Sequence, residues 1–232
     1  MNEDWPQNIS VQKNNGSDLT PQVFSHLGLM VYSSVMTIVL SIGVLGNVVT
    51  LVVLAHRNHR RRNITPYLSN NAVANLLIVV FGYPVAVSAN LQGKYLLANN
   101  ANCNWSSFVN GSTGIASIIT LATLSFVIKL NVARWNRSPQ SSLRKSCCVI
   151  AGIWIYSTGL MVPPLLGWNK YVPGSARFSC CPDWTSRDIT DLSYNVFLII
   201  MGFVVPLTVI GYSFFKIWRY VASILYLLFL KV

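Results

Sequence analysis

The cysteines are the residues of this chain whose type and spacing point most directly to chemistry. Cys103 stands at the start of a long apolar run, whereas Cys180 and Cys181 lie in a polar stretch after another such run. In an oxidising compartment, Cys103 can form a disulfide with either member of that later pair. Cys147 and Cys148 begin a further apolar run, and we interpret them as a reduced pair that packs as small apolar side chains rather than as an S-acylation site.

The remaining reactive side chains do not form an enzyme site. The apolar runs contain no pair of carboxylates, no cluster of metal-ligating residues and no nucleophile beside a base. The three histidines are His26, His56 and His59, and they are not grouped with other ligands. We therefore expect neither an enzyme nor a metal site. The lack of ionisable residues well inside the runs also argues against an ion channel or a small transporter.

The composition is that of a membrane protein. Hydrophobic residues make up 53% of the chain and charged residues 10%, whereas soluble domains contain about 25% charged residues. The net charge of +11 raises the question of a nucleic-acid partner. The basic residues are concentrated in short segments beside the apolar runs, however, which favours attraction to anionic membrane lipids. We expect no nucleic-acid partner.

Five apolar runs are long enough to cross a bilayer as helices, which requires about 20 residues. We predict an all-α membrane protein with helices over about residues 27–55, 66–91, 103–132, 146–167 and 189–218. A polar tail at residues 1–26 precedes them, and residues 219–232 form a divergent C-terminal end. Pro206 falls inside the fifth run, where neighbouring helices can satisfy the carbonyl that a proline leaves unpaired.

The charged residues predict the direction of the chain in the membrane. Lys and Arg are enriched in cytoplasmic loops, and four arginines lie between the first and second predicted helices, at positions 57 and 60–62. All six Asp and Glu residues fall on the opposite side. We therefore expect a multi-pass protein of the plasma membrane with an extracellular N-terminus. The sequons at Asn8 and Asn15 then lie where N-glycosylation occurs.

Several short motifs are arranged as in one receptor family. They are Gly46-Asn47, Ala72-Val73-Ala74-Asn75-Leu76-Leu77, Cys103, Trp154 and Pro206. Their order and spacing resemble the rhodopsin-like (class A) G-protein-coupled receptors. A more specific match follows the fourth predicted helix, where the sequence PPLLGWNKYVPG and the later pair Ser179-Cys180 resemble the second outer loop of the opsins. The resemblance extends over about residues 31–218.

The resemblance implies a rhodopsin-like helix bundle in which about five of the family's seven helices are present. It also implies retinal as the cofactor, bound in the bundle under a lid formed by the outer loop, and a heterotrimeric G protein as the partner. By the same match, the disulfide joins Cys103 to Cys180 and leaves Cys181 free.

Three residues match positions that line the retinal pocket in opsins: Gly114, Ser179 and Phe203. Gly114 can instead serve close helix packing, and Phe203 can be an ordinary apolar helix residue. Opsins also pair the buried cation of the attached retinal with a carboxylate, because an unpaired cation in the bundle would lose its proton. The two positions where opsins place this acid are Ser106 and Gly174 here.

Further differences between this sequence and the opsin pattern concern function. Asp183 is the nearest acid in the lid, and we interpret it as a structural residue rather than a counterion. Val127, Ile128 and Lys129 replace the acidic-Arg-aromatic motif at the inner end of the third helix, so we expect weakened G-protein coupling. The helix-seven lysine that binds retinal in opsins is absent from these 232 residues, and we expect a chain truncated after the fifth helix.

Three hypotheses follow. The first is an opsin-like, light-sensing receptor, present as an incomplete chain that cannot by itself form the retinal Schiff base or signal normally. The second is a class A receptor for a diffusible ligand, which the opsin-like lid sequence disfavours. The third is a non-signalling five-helix remnant that pairs with a full-length receptor and modulates it.

Overall fold

The computed structural model describes residues 26–56, 63–82, 100–133, 143–174 and 179–229. The helices in this part of the chain are α1 (His26–Ala55), α2 (Thr65–Leu77), α3 (Asn100–Ala133), α4 (Leu143–Met161), α5 (Ile189–Ile199) and α6 (Val205–Phe229), with π turns at Ile78–Gly82 and Ile200–Val204 and a 3-10 turn at Pro163–Leu166. Two short strands, β1 (Tyr171–Pro173) and β2 (Cys180–Pro182), pair as an antiparallel hairpin. The glycosylation candidates Asn8 and Asn15 and the last third of the second predicted helix lie outside the described residues.

Among the described residues, three helical segments are long and apolar enough to cross a membrane: Ser34–Ala55, Ala101–Ala133 and Ile189–Ile224. The last of these contains α5, the second π turn and most of α6, which form one continuous helix. This helix extends to Phe229, beyond the predicted end at residue 218. Residues 220–229 are apolar apart from Ser223 and contain no proline or glycine, so nothing in them stops the helix.

The fourth helix ends earlier than predicted, at Met161. Pro163 and Pro164 follow, and a proline both lacks an N–H and disfavours helical geometry in the residue before it. The two prolines begin the 3-10 turn instead, and Gly167 closes that turn with a φ of +93°, a left-handed conformation that suits glycine. The chain thereby turns out of the bundle and into the hairpin.

The centre of the bundle is α3, which packs against α2, α4 and α6 and also contacts the hairpin. The side chains that α3 buries completely are small, among them Ser106, Ala116 and Thr120, each 0% exposed. Small residues let helix backbones approach closely where no hydrophobic force draws helices together. The architecture is a helical bundle with a two-stranded lid at one end of α3, and the bundle is the all-α fold expected from the sequence.

Candidate functional site

A disulfide joins the lid to the central helix. Cys103 in the first turns of α3 bonds to Cys180 at the start of β2, with a Cα–Cα distance of 5.3 Å, and both residues are buried. Successive side chains in a strand point to opposite faces. Cys181 therefore points away from α3, and burial together with the nearby Asp183 carboxylate raises the pKa of its thiol.

Asn169 is the hydrogen-bonding centre of the lid. It is 3% exposed and has a φ of +82°, which asparagine tolerates better than most residues. Its side-chain amide donates to the carbonyl of Asp191 and to Oδ1 of Asn195, 3.0 Å away. Its Oδ1 accepts from the main-chain N–H groups of Lys170 and Asp183. A single side chain thus connects both ends of the hairpin to α5.

The Asp183 carboxylate is engaged within the lid. Its Oδ1 accepts hydrogen bonds from the main-chain N–H of Thr185, the Thr185 hydroxyl and the N–H of Ser186, at 2.8–3.0 Å. Lys170 Nζ lies 3.7 Å from its Oδ2. Desolvation acts to raise the pKa of Asp183, but these hydrogen bonds and the Lys170 charge lower it overall. This geometry supports the structural interpretation of Asp183.

Aromatic residues anchor the lid to the outer end of α5. The Trp168 indole N–H donates to Ser193 Oγ at 2.9 Å, and its ring stacks on Phe197 with centroids 5.5 Å apart. Tyr194 is fully buried against the Trp168 ring edge, and its hydroxyl donates to the carbonyl of Leu160 at 2.9 Å. The lid is therefore held by α4 and α5 as well as by the disulfide to α3.

Two glycines on α3 have different surroundings. A Cβ at Gly111 would lie 2.7 Å from Met161 Sδ, so Gly111 permits close packing of α3 against α4. A Cβ at Gly114 would meet nothing within 4 Å. Gly114 therefore does not serve close packing, which was one of its two interpretations. Sequence reasoning singled out Gly114 and missed Gly111, because only the position of Met161 distinguishes them.

Ser106 and Asn110 lie on the same side of α3 as Gly114, since residues four apart share a helix face. Ser106 occupies the position of an opsin counterion and is fully buried, and its hydroxyl lies 3.4 Å from Asn110 Nδ2. The Oδ1 atom of Asn110 is buried and has no hydrogen-bond partner within the described ranges. This face of α3 thus offers a neutral acceptor and an open space where opsins have a carboxylate and a polyene.

Further towards the C-terminal end of α3, a network of polar side chains connects α2, α3 and α4. Asn70 of α2 donates from Nδ2 to Thr120 Oγ1 of α3 at 2.8 Å, and it accepts at Oδ1 from the Trp154 indole N–H of α4 at 2.9 Å. Asn70 and Thr120 are buried. Buried polar groups that pair in this way fix the relative positions of helices in the membrane.

A second network joins α1, α2 and α3. Asn75 Nδ2 donates to Asn47 Oδ1 at 3.2 Å, and the Ser117 hydroxyl lies within hydrogen-bonding distance of Oδ1 of both Asn71, at 2.8 Å, and Asn75, at 3.1 Å. Asn47 belongs to the Gly46-Asn47 pair and Asn75 to the helix-two motif. The side chains of both motifs therefore meet in the bundle core, and each of them is uncharged.

The family follows from a comparison of the whole chain with known proteins. A family model described as the seven-transmembrane receptor (rhodopsin family) matches residues 46–225. The chain belongs to the rhodopsin family of receptors. These proteins are receptors rather than enzymes, in agreement with the sequence-based expectation.

The relatives of this receptor chain include several opsins. It is 28% identical over 196 residues to the G0-coupled rhodopsin of Mizuhopecten yessoensis, a match that covers 84% of this chain and 48% of that protein. Melanopsin-B of Xenopus laevis is 30% identical over 85% of this chain and 36% of its own length. Pinopsin of Columba livia is 30% identical over 76% of the chain and 50% of its own length. The receptor chain thus spans about half or less of the length of these relatives.

The crystal structure of squid rhodopsin has the same fold, with a TM-score of 0.76 and 24% sequence identity. The match covers 91% of this chain and 62% of the squid protein. The squid structure therefore shares the fold of this helix bundle. Together with the family match, it makes the chain a membrane protein.

The other two predicted pocket residues of the receptor are exposed. Ser179 is exposed at the edge of the lid, where its carbonyl accepts a hydrogen bond from Gly174 N–H at 2.8 Å. Phe203 lies in the π turn between α5 and α6 and is 55% exposed. The described residues do not enclose either side chain, and their assignment to a ligand pocket stays a prediction.

At the opposite end of α3, the residues of the divergent motif are half-buried: Val127, Ile128 and Lys129. Lys129 Nζ lies 3.9 Å from the centroid of the Phe126 ring and 5.0 Å from that of Tyr212 on α6. Aromatic rings thus surround the cation where the family motif would supply an acidic neighbour for an arginine.

The interpretation of Cys147 and Cys148 as packed side chains was wrong, because both are exposed. They lie in the first turns of α4, where only Ser146 faces the bundle, with 1% of its surface exposed. Side chains one or two positions along a helix point in different directions, so the contact of Ser146 turns the two cysteines outward.

Proposed function

We propose that this chain is the retinal-binding part of an opsin-like, light-sensing receptor. The observation that carries the proposal is the lid, which is held over the outer end of α3 by the Cys103–Cys180 disulfide. The similarity to rhodopsins, melanopsin and pinopsin supports retinal as the ligand.

The residues beneath the lid are compatible with a long, flat, apolar ligand. Gly114 leaves open space beside α3 that a larger side chain would fill. Retinal, when bound, would supply the absorption of light and a change of shape, and Gly114, Ser179 and Phe203 are the residues we propose to hold it.

Covalent attachment of retinal is not expected of these 232 residues alone. The lysines of the chain lie outside the predicted spans or near their cytoplasmic ends. Five of the six carboxylates lie outside the predicted spans, and Asp191 lies in the first turn of the fifth, so none is available deep inside the bundle to stabilise a buried cation. The receptor chain by itself would therefore bind retinal without forming a covalent bond to it.

The test is expression of the 232-residue chain in membranes, addition of retinal and measurement of its spectrum before and after borohydride reduction. We expect retained retinal, no strongly red-shifted pigment and no covalent adduct. Replacing Gly114 with Leu should remove the retained retinal, whereas Gly159→Leu should not, because Gly159 is an exposed glycine of α4 with similar free space around it.

Two results would contradict the proposal in different ways. A red-shifted pigment that borohydride fixes to the protein would contradict the non-covalent mode. Equal retention by the chain and its Gly114→Leu variant, or no retention at all, would contradict the retinal site itself.

The orientation in the plasma membrane is part of the same proposal. A disulfide persists on the oxidising side of a membrane, and the Cys103–Cys180 bond therefore supports a lid and an N-terminus outside the cell. The basic loops then face the cytoplasm, as the positive-inside rule predicts. An antibody against an N-terminal tag should label intact cells; labelling only after permeabilisation would contradict this orientation.

We also propose that coupling to a heterotrimeric G protein is weak. Val127 and Ile128 can neither carry the charge of an arginine nor restrain one, and aromatic rings surround Lys129. Nucleotide exchange on G protein in membranes that contain the chain should stay near the level of empty membranes. A clear stimulation, with or without retinal, would contradict this part of the proposal.

Two alternatives remain distinguishable. A class A receptor for a diffusible ligand is favoured by the neutral acceptor Asn110, and displacement of retinal by small hydroxylated or amino compounds would support it. A non-signalling partner of a full-length receptor would co-immunoprecipitate with an opsin and lower its surface level. Neither outcome is expected if retinal binding through Gly114 is the main function.

A further inference from the structure

Basic side chains from two helices meet around one aromatic ring at the inner end of the bundle. Lys129 Nζ of α3 lies 5.0 Å from the centroid of the Tyr212 ring, and Lys216 Nζ of α6 lies 5.6 Å from the same centroid. A cation this close to a ring centroid is attracted by the negative face of the ring. Tyr212 thereby holds two positive charges near each other, one from each helix.

The cluster continues along α6. Arg219 lies three residues after Lys216, and its guanidinium carbon is 6.0 Å from the centroid of Phe215. Residues three and four apart lie on neighbouring positions of a helix surface. Phe215 is 51% exposed and Trp218 66% exposed. Two cations and two large exposed rings thus occupy about two turns of α6, and one lysine of α3 lies beside them.

The described part of the chain places no carboxylate beside these cations. The sequence contains no Asp or Glu from residue 19 to residue 182, and none after Asp191. The described acids are in or near the lid, at the other end of α3. Like charges within a Debye length of about 8–10 Å repel one another. An anion that contacts both lysines would remove this repulsion.

The depth of the cluster in the membrane follows from the length of the helix. Lys216 lies 27 residues after the start of the continuous helix at Ile189, which corresponds to about 40 Å at the rise of an α-helix. The hydrocarbon core of a bilayer is about 30 Å thick. The cluster therefore lies at the level of the lipid headgroups, where exposed Trp and Phe rings contact the boundary between headgroup and acyl chain.

From these observations we propose that Lys129, Lys216 and Arg219 form a binding site for the phosphate headgroup of an anionic membrane lipid. The charges match a phosphate, and the exposed Phe215 and Trp218 rings match the acyl chains attached to it. An acidic segment of a protein would use the charges and leave these rings uncovered, and a free phosphate would do the same. The proposed orientation of the chain in the membrane decides only which leaflet supplies the lipid. The site itself does not depend on it.

The experiment is native mass spectrometry of the 232-residue chain in detergent, titrated with phosphatidylglycerol or with phosphatidylcholine of the same acyl chains and without retinal. We expect several-fold tighter binding of phosphatidylglycerol. Lys216→Ala should weaken it by about fivefold, the effect of one basic residue at a membrane surface, and Lys129→Gln should act in the same direction. The matched control is Lys145→Ala, an exposed lysine at the start of α4, which should leave the affinity unchanged.

The role of the ring is tested separately. Tyr212→Phe keeps the aromatic face and should preserve lipid affinity, whereas Tyr212→Leu should lower it. Because Tyr212 is 52% exposed, both variants should fold, and a melting temperature for each verifies this.

Four results would overturn the proposal. They are equal affinity for the two lipids, an equal loss in Lys145→Ala, displacement of the lipid by free glycerol phosphate at matching concentration, and tighter binding of an acidic peptide with the same dependence on Lys216. The first would show that the negative headgroup is not recognised, and the second would indicate diffuse attraction. The third would indicate a site for small phosphates and the fourth a protein partner. Because the assay contains no retinal, failure of the retinal proposal leaves its outcome unchanged.

Discussion

The hydroxyl of Tyr156 in α4 donates a hydrogen bond to the main-chain carbonyl of Met201, 2.9 Å away. Met201 lies in the π turn between α5 and α6, where the N–H of Val205 pairs with the carbonyl of Ile200. The next bond of this series would need an N–H from Pro206, which has none. Tyr156 therefore satisfies an acceptor that lipid could not, and it fixes the position of the fifth membrane segment against α4.

Replacing Tyr156 with Phe should leave the Met201 carbonyl without a partner. The expected loss is about 1–3 kcal/mol in the free energy of unfolding, the cost of an unsatisfied buried acceptor, measured by thermal or denaturant unfolding in detergent. Tyr212→Phe is the control, since it removes a hydroxyl from a half-exposed tyrosine. Equal stability of the two variants would mean that the Tyr156 bond contributes nothing.

Loss of the disulfide should release the lid from α3. The bond closes a segment with a sequence separation of 77 residues, and native disulfides typically contribute about 2–4 kcal/mol. Cys103→Ser should therefore lower the melting temperature markedly and make it insensitive to reductant, while Cys181→Ser should resemble the unmodified chain. A lid that uses Cys181 instead would give the opposite pattern for Cys180→Ser and Cys181→Ser.

Asn169 offers a test that separates its hydrogen bonds from its backbone conformation. Asn169→Gly removes the side-chain bonds but accepts a positive φ, whereas Asn169→Ala removes the same bonds and adds about 1–2 kcal/mol of left-handed strain. Both variants should speed the alkylation of the half-buried Cys181 thiol by opening the lid, and the alanine variant should do so more strongly. Unchanged alkylation in both would contradict the central role of Asn169.

The lid should lose stability in acid through Asp183. Its pKa in the folded protein is below the ordinary value of 3.8, because hydrogen bonds from Thr185 and Ser186 and the Lys170 charge outweigh desolvation. A lowered folded pKa gives stability that is fully present above pH 3.8 and is lost as the pH falls through the folded value. Melting temperatures measured down to this range should fall less steeply for Asp183→Asn, which cannot titrate. Parallel pH profiles would exclude this contribution.

Much of the fold could be predicted from the sequence because the length of an apolar run is a local property. The runs around Val48, Ile118 and Phe203 are each long enough to span a bilayer, and each is a helix in the structure. The opsin-like lid sequence likewise identified the hairpin region and the partner of Cys103. Helix ends were less predictable, because the helix that contains Phe203 continues past residue 218 to Phe229.

What the sequence by itself determined about this receptor chain was its class, a helix bundle of the rhodopsin family in the membrane. Only the tertiary structure decided which of several chemically equal residues has a role. Gly111 meets Met161 while Gly114 opens onto free space. Such differences depend on the direction in which a side chain leaves its backbone and on what another element places there, and neither is encoded in residue type.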